Sequence, residues 1–399
     1  MSYLEKILDG EVVEWKTLGQ VVEIIRGVRI TKNDLLSDGE YPVVSGGVGY
    51  MGYTNSYNRE SNTITIAQYG SAGYVKWQTE KFWANDVCFC VKPNTSIILN
   101  RYLYFYLINK QQHIYDISNR TATPFSIERE KILKLEIPIP CPNNPKKSLE
   151  IQQKIVGILD SFTELTAELT AELTAELTAR KTQYSYYREK LYTFDENKVE
   201  WKTLKDLTSL ITKGTTPKKY IDTGIAFIKT EAFDGSNINS KKLSFIDEDT
   251  HNKELKRSIL KHNDILITIA GATIGKCAIV PKEILPANTN QALAIIRLNE
   301  DVNLKYVFHL MKSNHMTKYI ELNIKGSAQP NLNLQQLNNF SIPYPSPEEQ
   351  ERIVSILEKF DTLTNSISEG LPKEIELRKK QYEYYRDLLL TFPQDNLVE

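Results

Sequence analysis

The sequence offers little for catalysis, although one segment is similar to a phosphate-binding loop. Gly271-Ala272-Thr273-Ile274-Gly275-Lys276 has one residue too few between its glycines, and Cys277 follows where Ser or Thr would bind magnesium. No two histidines stand at zinc-ligand spacing; they are His113, His251, His262, His309 and His315. A nucleophile elbow and an Asn-Pro-Pro-aromatic motif are both absent. We therefore expect a chain without a catalytic or metal site of its own.

Polar, glycine-rich turns are better candidates for function, because they combine groups that suit DNA. Glycines let the backbone approach a ligand, Lys and Arg neutralise phosphates, and Gln, Asn, Ser and Thr can read base edges. In the first half of the chain the candidates are Arg26, Arg29, Lys32, Ser45, Gly46, Gly47, Gln68, Tyr69, Gly70 and Ser71. In the second half they are Lys213, Gly214, Thr215, Thr216, Lys218, Lys219, Thr273, Asn288, Asn290, Gln291, Lys325 and Gln329. Each could be an ordinary hairpin turn, but matching sets in both halves favour binding.

A second candidate surface is the block Arg-Lys-x-Gln-Tyr-x-Tyr-Tyr-Arg, which stands at residues 180–188 and again at 378–386. It is typical of a helix end with packed aromatic rings and cations near the C-terminus. Because tyrosines and arginines on a long exposed helix suit interfaces, a partner surface fits about equally well. The residues predicted to bind a partner are Tyr184, Tyr187, Arg188, Tyr382, Tyr385 and Arg386.

Composition sets limits on the class of protein. The 399 residues include 49 Lys or Arg and 50 Asp or Glu, for a net charge of −1, so any DNA contact must come from local patches. The four cysteines lack metal-ligand spacing and are expected to be reduced, structural thiols; they are Cys88, Cys90, Cys141 and Cys277. No signal-like or membrane-spanning apolar stretch is present, so we expect a cytoplasmic protein without membrane contact.

The strongest signal in the chain is an internal duplication. Val13-Glu14-Trp15-Lys16-Thr17-Leu18 recurs at 199–204, and the Ile-Pro-x-Pro segment at 137–140 recurs at 342–345. Gln152-Gln153-Lys154-Ile155-Val156 has its counterpart at 350–354, and the tyrosine block described above completes each copy. Residues 3–8 resemble residues 187–192, so the chain opens with the end of such a unit. The repeats are therefore circularly arranged, which should bring the termini together.

Residues 163–179 repeat a Thr-Ala-Glu-Leu unit, and the strong helix formers Ala, Glu and Leu predict an uninterrupted helix. Each unit adds about 6 Å of length and rotates the next segment of the chain by about 40°, so the repeat can serve as a ruler. Apolar residues at helical spacing in segments 152–191 and 350–389 predict two long helices of equal length, paired as an antiparallel coiled coil. Gly370 and Pro372 should kink the second helix.

The expected fold class is α+β, with two pseudo-symmetric globular domains related by a pseudo-two-fold axis and joined by the long helices. Strand-like runs at 63–67, 87–91, 264–270 and 292–298 and helices at 101–109 and 304–313 fit mixed domains. The predicted boundaries are 1–14 for a segment completing the distal helix, 15–145 and 196–345 for the domains, 146–195 for the central helical spacer and 346–399 for the distal helical region. The two domains share their flanking motifs and differ in their interior sequences.

These motifs together resemble the specificity subunit of a type I restriction-modification system, and the TAEL run resembles the type IC branch. The resemblance covers nearly the whole chain. It implies two target recognition domains that read a bipartite, asymmetric site on double-stranded DNA, with a gap set by the repeat number. It also implies two modification (methylase) subunits and two restriction subunits as partners. S-adenosylmethionine, ATP and magnesium would belong to those partners, with no cofactor in this chain.

Two other readings of the residues stay open. A structural adaptor with two protein-binding domains on a coiled-coil spacer would bind no specific DNA and would show no steep salt dependence. A stand-alone nuclease or methylase is disfavoured by the missing motifs.

Overall fold

The computed structural model describes residues 3–195, 197–324, 331–366 and 368–393. The chain divides into two units. The first unit comprises Met1–Ala171 and Glu376–Glu399, and the second comprises Glu172–Ile375.

The first unit takes its elements from the first 171 residues and from the end of the chain. In order these are α1 (Tyr3–Leu8), β1 (Val13–Thr17), α2 (Leu18–Val21), β2 (Val22–Arg26), β3 (Tyr41–Val44), β4 (Gly52–Thr54), β5 (Thr63–Ala67), β6 (Val75–Gln78), β7 (Trp83–Ala84), β8 (Cys88–Pro93), α3 (Asn100–Asn109), α4 (Gln111–Asp116), α5 (Arg129–Leu133), β9 (Glu136–Pro140), the first part of α6 (Pro145–Leu191) and, from the end of the chain, the larger part of α11 (Leu371–Leu390).

The second unit continues from α6. Its elements are β10 (Glu200–Thr203), β11 (Thr208–Lys213), β12 (Ile225–Ile228), β13 (Phe233–Asp234), β14 (Asn237–Ile238), β15 (Ser244–Ile246), β16 (Ile265–Thr268), β17 (Cys277–Ile279), β18 (Ala287–Thr289), β19 (Leu293–Leu298), α7 (Leu304–Met311), α8 (Asn314–Ile324), α9 (Leu334–Asn338), β20 (Ser341–Tyr344), α10 (Pro347–Asn365) and the start of α11 (Leu371–Leu390). The strands and helices predicted inside both domains are confirmed within a few residues.

The duplicated motifs form the same two-stranded sheet in each unit. β1 pairs antiparallel with β9, placing Trp15 opposite Pro138, and β10 pairs with β20, placing Trp201 opposite Pro343. A fully buried tyrosine, on α3 in the first unit and on α7 in the second, donates its hydroxyl to the proline carbonyl of each sheet. The distance is 3.0 Å from Tyr102 to Pro138 and 2.7 Å from Tyr306 to Pro343. In each unit, the two motifs that flank the domain in sequence therefore pair with each other and hold its two ends together.

The interiors also repeat, although their sequences differ. A four-stranded sheet has the order β2-β8-β5-β6 in the first unit and β11-β19-β16-β17 in the second. A three-stranded sheet has the order β4-β3-β7 in one and β15-β12-β18 in the other, with the same mixture of antiparallel and parallel pairs. Strand alternation directs Ile64 and Ile66 of β5 into the helix-covered core. The scaffold is thus one fold used twice.

All four cysteines are buried and free, as predicted. Cys88 and Cys90 stand two residues apart on β8 and therefore face the same side of the sheet. Both pack with Phe82 and Val44 in a small cluster on the face of β8 away from the helices. They fill space between the four-stranded sheet and the three-stranded sheet of the first unit.

α6 is one continuous helix of 47 residues that contains the whole TAEL run, which confirms the helix predicted there. The distal segment differs from the predicted kinked helix, because it is broken into α10 and α11. Gly370 sits in the break with φ +81°, and a Cβ there would lie 2.5 Å from the Thr362 carbonyl oxygen. A positive φ lies outside the right-handed helical region and favours glycine, so the helix is interrupted at this position. Ser346 caps α10, its hydroxyl accepting from the Glu349 amide at 3.4 Å.

The beginning and end of the chain meet in the first unit, which confirms the circular arrangement. Leu4 and Leu8 of α1 share a core with Leu389 and Leu390 of α11. The Trp15 indole Nε1 also donates to the Pro393 carbonyl at 3.2 Å. Among the described helices, none combines the length and the hydrophobicity needed to cross a membrane.

Candidate nucleic-acid interface

In the first unit, the predicted residues at the ends of β2 and β5 lie together. Arg26 is the last residue of β2, and its guanidinium donates through Nε to the Asp86 carbonyl at 2.7 Å and through Nη2 to Gln68 Oε1 at 2.8 Å. The Gln68 amide nitrogen is left free to donate elsewhere, because the contact uses only the oxygen of the side chain. Arg26 and Gln68 thus form one exposed hydrogen-bonding pair.

The two glycine-rich turns of this unit touch through their backbones. The Ser71 amide donates to the Gly46 carbonyl at 2.8 Å, and a Cβ on Gly46 would lie 2.3 Å from the Tyr69 carbonyl oxygen. Gly46 is therefore required for the close approach of these turns. Ser45, at the edge of the same turn, accepts from Asn85 Nδ2 at 3.4 Å.

Further predicted residues of the first unit surround this contact. Gly47, Tyr69 and Gly70 are exposed beside it, and Gly70 adopts φ +75°. Arg29 and Lys32 are exposed on the segment after β2, and neither forms an ion pair within the described residues. These two cations are therefore available for an anionic ligand.

The second unit gathers its own set at the end of β11. Lys213 ends this strand, and the Thr215 amide donates to the Thr289 carbonyl at 3.0 Å. The Thr216 hydroxyl donates to the side-chain carbonyl of Gln291. Arg257, which the sequence did not single out, reaches the Thr215 hydroxyl at 3.2 Å. The residues around 213–216 and 290–291 therefore form one surface.

Other predicted residues of the second unit lie at its margin. Lys218 is exposed and pairs with Glu254 at 3.4 Å, while Lys219 is exposed nearby along the chain. Thr273 lies in the turn between β16 and β17, where its carbonyl accepts from the Lys276 amide at 3.1 Å. The side chain of Asn290 folds back on its own turn and accepts from the Ala292 amide at 3.2 Å.

Two predictions for this unit are wrong. Asn288 is 0% exposed, and its amide is used inside the protein by His251, the Leu255 carbonyl and the Ser258 hydroxyl. Gly214 is buried as well, and a Cβ there would lie 2.1 Å from the Thr289 carbonyl oxygen, which leaves no room for a side chain. Both residues shape the turn from within and cannot meet a ligand. Lys325 and Gln329 lie outside the described residues.

The two surfaces are built on equivalent backbone positions. Gly27 follows Arg26, and a Cβ on Gly27 would lie 2.1 Å from the Asn85 carbonyl oxygen. Gly214 follows Lys213, and a Cβ on Gly214 would lie equally close, 2.1 Å, to the Thr289 carbonyl oxygen. The Gly73 amide donates to Ala67 at 2.8 Å in the first unit, and the Gly275 amide donates to Thr268 at 2.8 Å in the second. Arg26 and Lys213 therefore occupy matching places at the end of matching strands.

The helix ends that carry the tyrosine block combine one buried ring, Tyr184, with partly exposed rings such as Tyr187 and Tyr385. Tyr184 is only 5% exposed; its ring stacks on Phe360 at 5.8 Å, and its hydroxyl donates to Asp361 at 3.3 Å. The prediction that Tyr184 meets a partner is wrong, because the ring is covered by its own unit. Burial raises the pKa of the Tyr184 hydroxyl above its ordinary range, so the hydroxyl stays protonated and can donate. Arg188 covers the other side, its guanidinium 5.2 Å from the Tyr184 ring.

The same contacts recur in the first unit. Tyr385 packs on Phe162 at 5.6 Å, as Tyr187 packs on Phe360 at 5.7 Å in the second unit. The Tyr382 hydroxyl lies 3.0 Å from the hydroxyl of Thr163, the residue after Phe162. The contact on α11 thus moves back along the chain while the contact on α6 moves forward, so the two helices are antiparallel here. Arg386 lies over the Tyr382 ring at 5.9 Å and pairs with Asp387 at 2.9 Å.

Comparison with known proteins identifies the architecture. Residues 11–179 and 196–377 match the family model for the type I restriction modification DNA specificity domain. The chain belongs to this family. It is 36% identical over 417 residues to the EcoR124I/EcoR124II type I restriction enzyme specificity subunit of Escherichia coli, covering 100% of this chain and 99% of that one.

Further relatives agree with the assignment. A putative type I restriction enzyme specificity subunit of Haemophilus influenzae is 38% identical, with 98% of both chains covered. A chain solved in work on complex assembly and conformational transition of the type I R-M system aligns with a TM-score of 0.64. That alignment covers 95% of this chain and 97% of the other at 15% sequence identity, so it bears on the fold alone.

The exposed rings of this specificity-domain chain were missed by the sequence analysis. Tyr186 is 60% exposed and Tyr384 is 63% exposed, and each ring meets the ring of the next tyrosine in an edge-to-face contact. The helical period carried the signal, because in a Tyr-x-Tyr-Tyr block on a helix the residue two after a buried ring points away from the core. In the described residues, no group of three or more His, Cys, Asp or Glu side chains is arranged to hold a metal ion.

Proposed function

We propose that the chain is the non-catalytic DNA-specificity subunit of a type I restriction-modification complex, in which each unit recognises one half of a bipartite DNA site. The observation that carries this proposal is the repetition of one loop scaffold with different side chains. A duplicated binding scaffold with divergent contacts suits a ligand that is itself built of two unlike parts. The bases of DNA offer such variety on a uniform backbone.

The chemistry of the two surfaces supports an asymmetric site. The first unit presents the Arg26–Gln68 pair, and the equivalent positions of the second unit are Lys213 and Ile269, so the hydrogen-bonding pattern is not conserved between the units. An arginine held by a glutamine can donate in a fixed direction to a base edge, whereas a lysine acts as a mobile point charge. The two half-sites should therefore differ in sequence.

The TAEL part of α6 would act as the spacer between the half-sites. Because α6 is unbroken through this run, each four-residue unit adds about 6 Å of helix and about 40° of rotation. The anionic ridge formed by Glu164, Glu168 and Glu172 would repel phosphates and keep this helix off the DNA. The number of units would then set the gap.

Catalysis would come from partner subunits. We propose that two modification subunits bind this chain and methylate adenine from S-adenosylmethionine, after turning the target base out of the stack. Two restriction subunits would add ATP-driven translocation and cleavage. Tyr186 and Tyr384 are suited to such contacts, since exposed tyrosines favour protein interfaces.

The test is to assemble the chain with its modification subunits, determine the methylated motif, and repeat the mapping with Arg26→Ala and Lys213→Ala. Each substitution should weaken or relax one half of the motif and leave the other half intact. Lys146→Ala, at the exposed start of α6, serves as a control for lost charge. If both substitutions changed both halves of the motif in the same way, the proposal that each unit recognises one half-site would be wrong. A wild-type complex that binds DNA without a motif and without steep salt dependence would favour the adaptor.

A further inference from the structure

One loop beside the candidate interface of the first unit is assigned no role by the sequence. The loop, Asn119 to Ser126, is closed at its base by paired backbone hydrogen bonds of 2.7 and 3.1 Å between its two end residues. Inside it, the Asn119 side-chain oxygen accepts from the Thr121 amide at 3.0 Å and from the Thr121 hydroxyl at 2.8 Å. Residues 119–125 are all exposed, so an ordered loop projects from the surface.

The loop is attached to the turns already described. The Gly70 amide donates to the Phe125 carbonyl at 3.0 Å, and the Ile127 amide donates to the Gln68 carbonyl at 2.9 Å. Gly70 and Ser71 in turn contact Gly46, so the loop adjoins both glycine-rich turns. A DNA duplex that reaches Gln68 or Gly70 would therefore meet this loop.

Arg120 is the cation of the loop, and two aromatic rings hold it. Its guanidinium carbon lies 4.7 Å from the centre of the Tyr115 ring and 5.2 Å from the centre of the Phe125 ring, and Nε donates to the Tyr115 carbonyl at 3.4 Å. Within the described residues it forms no ion pair. Since Nε and the ring faces fix the plane of the guanidinium, the two terminal nitrogens form a preorganised fork of donors.

The duplication links Arg120 to a residue that the sequence analysis did select. Ile137 of the first Ile-Pro-x-Pro segment corresponds to Ile342 of the second, an offset of 205, and the same offset takes Arg120 to Lys325. The offset holds in the structure, because the Leu332 amide donates to the Ile269 carbonyl at 2.8 Å, as Ile127 does to Gln68. In the sequence, a basic residue thus stands at this offset in both copies.

We propose that Arg120 is a DNA contact of the first unit, made either to a base or to the backbone of the first half-site. This inference rests on the proposed function, and it adds a third loop to the two glycine-rich turns. Because the loop is bonded through its backbone to Gln68 and Gly70, the fork of Arg120 would meet the same duplex as Arg26 and Gln68. Its donors can pair with a guanine edge or with a phosphate oxygen.

The experiment uses the chain assembled with its modification subunits and compares wild type with Arg120→Ala, Arg120→Lys and the control Lys146→Ala. Affinity for a duplex carrying the mapped motif is measured over a range of salt concentrations, and the methylated motif is mapped for each variant. Arg120→Ala should weaken binding about tenfold at unchanged melting temperature, while the control stays within twofold.

The second readout separates the two kinds of DNA contact. With a guanine contact, one position of the first half-site becomes degenerate, and Arg120→Lys restores it poorly. With a phosphate contact, the motif is kept, the salt slope falls by about one, and Arg120→Lys restores binding. Both outcomes support the proposal. Arg120→Ala that matches the control in affinity, slope and motif would overturn it, whereas a wild-type complex without any motif would overturn the proposed function itself.

Discussion

A carboxylate on α10 should stabilise the second unit through its contact with a buried histidine. Glu358 Oε1 lies 2.6 Å from Nε2 of His309, which is 1% exposed, and Glu358 Oε2 lies 3.1 Å from the Lys305 ammonium. The hydrogen bond from His309, helped by Lys305, lowers the pKa of Glu358 from 4.5 to about 2. The ionised form is therefore favoured in the folded state.

The size of the effect can be worked out from this shift. A difference between 4.5 and about 2 corresponds to roughly 3.5 kcal/mol at most, at about 1.4 kcal/mol per pKa unit. Because the side chain is 39% exposed, solvent screening reduces this to about 1 kcal/mol. Glu358→Gln should accordingly lower the apparent melting temperature at pH 7 by about 2–4 °C.

The sign of the pH dependence gives a second check. A carboxyl whose folded-state pKa is depressed stabilises the fold above its unfolded value of 4.5, and that stability is lost as pH falls from 4.5 toward 2. Thermal melts from pH 7 to pH 3.5 should show the deficit of Glu358→Gln shrinking below pH 4.5. Glu351→Gln, an exposed position on the same helix, is the control. An equal loss for both variants, or a deficit independent of pH, would refute the reasoning.

Three further substitutions test individual contacts. Gly214→Ala should relax only the second half of the methylated motif, because its Cβ would lie 2.1 Å from a backbone oxygen; Gly49→Ala, with open space, should leave the motif unchanged. Tyr306→Phe should destabilise the second unit by about 1–2 kcal/mol in denaturant titration, because a buried carbonyl loses its donor. Phe360→Ala should cost about 2–4 kcal/mol in the same assay through lost ring packing, whereas Tyr186→Ala, at an exposed ring, should cost less than about 0.5 kcal/mol.

The frame of the fold was predictable because its residues recur. The β1–β9 and β10–β20 sheets are made of the two most obvious repeated motifs, and the TAEL helix is predicted by propensity alone. The shared interior was harder to see, since a strand needs only an apolar pattern and many sequences supply it. One sequence signal for the shared interior was present. The first repeated motif begins at Val13 and again at Val199, an offset of 186, and this offset takes Gly27 to Lys213. That position is one residue before Gly214, the structural counterpart of Gly27.

Burial of polar residues could not be read from the sequence. Asn288 stands in a hydrophilic stretch typical of a loop, yet β18 pairs in parallel with β12 and encloses its side chain. Its amide is satisfied by His251 and Ser258, residues that only the folded chain brings near. Tyr184 is a similar case, because its partner Phe360 comes from a distant helix.

The most direct test of the account is to map adenine methylation genome-wide in cells that express the chain with its modification subunits. The same map is made for a variant lacking Thr174 to Leu177. One unit removes about 6 Å of helix, and DNA rises about 3.4 Å per base pair, so the gap should shorten by one or two base pairs with both half-sites unchanged. Glu176→Gln, which keeps the length, should leave the gap as in wild type. An unchanged gap, or altered half-sites, in the deletion variant would contradict the claim that two DNA-recognising units are spaced by the length of α6.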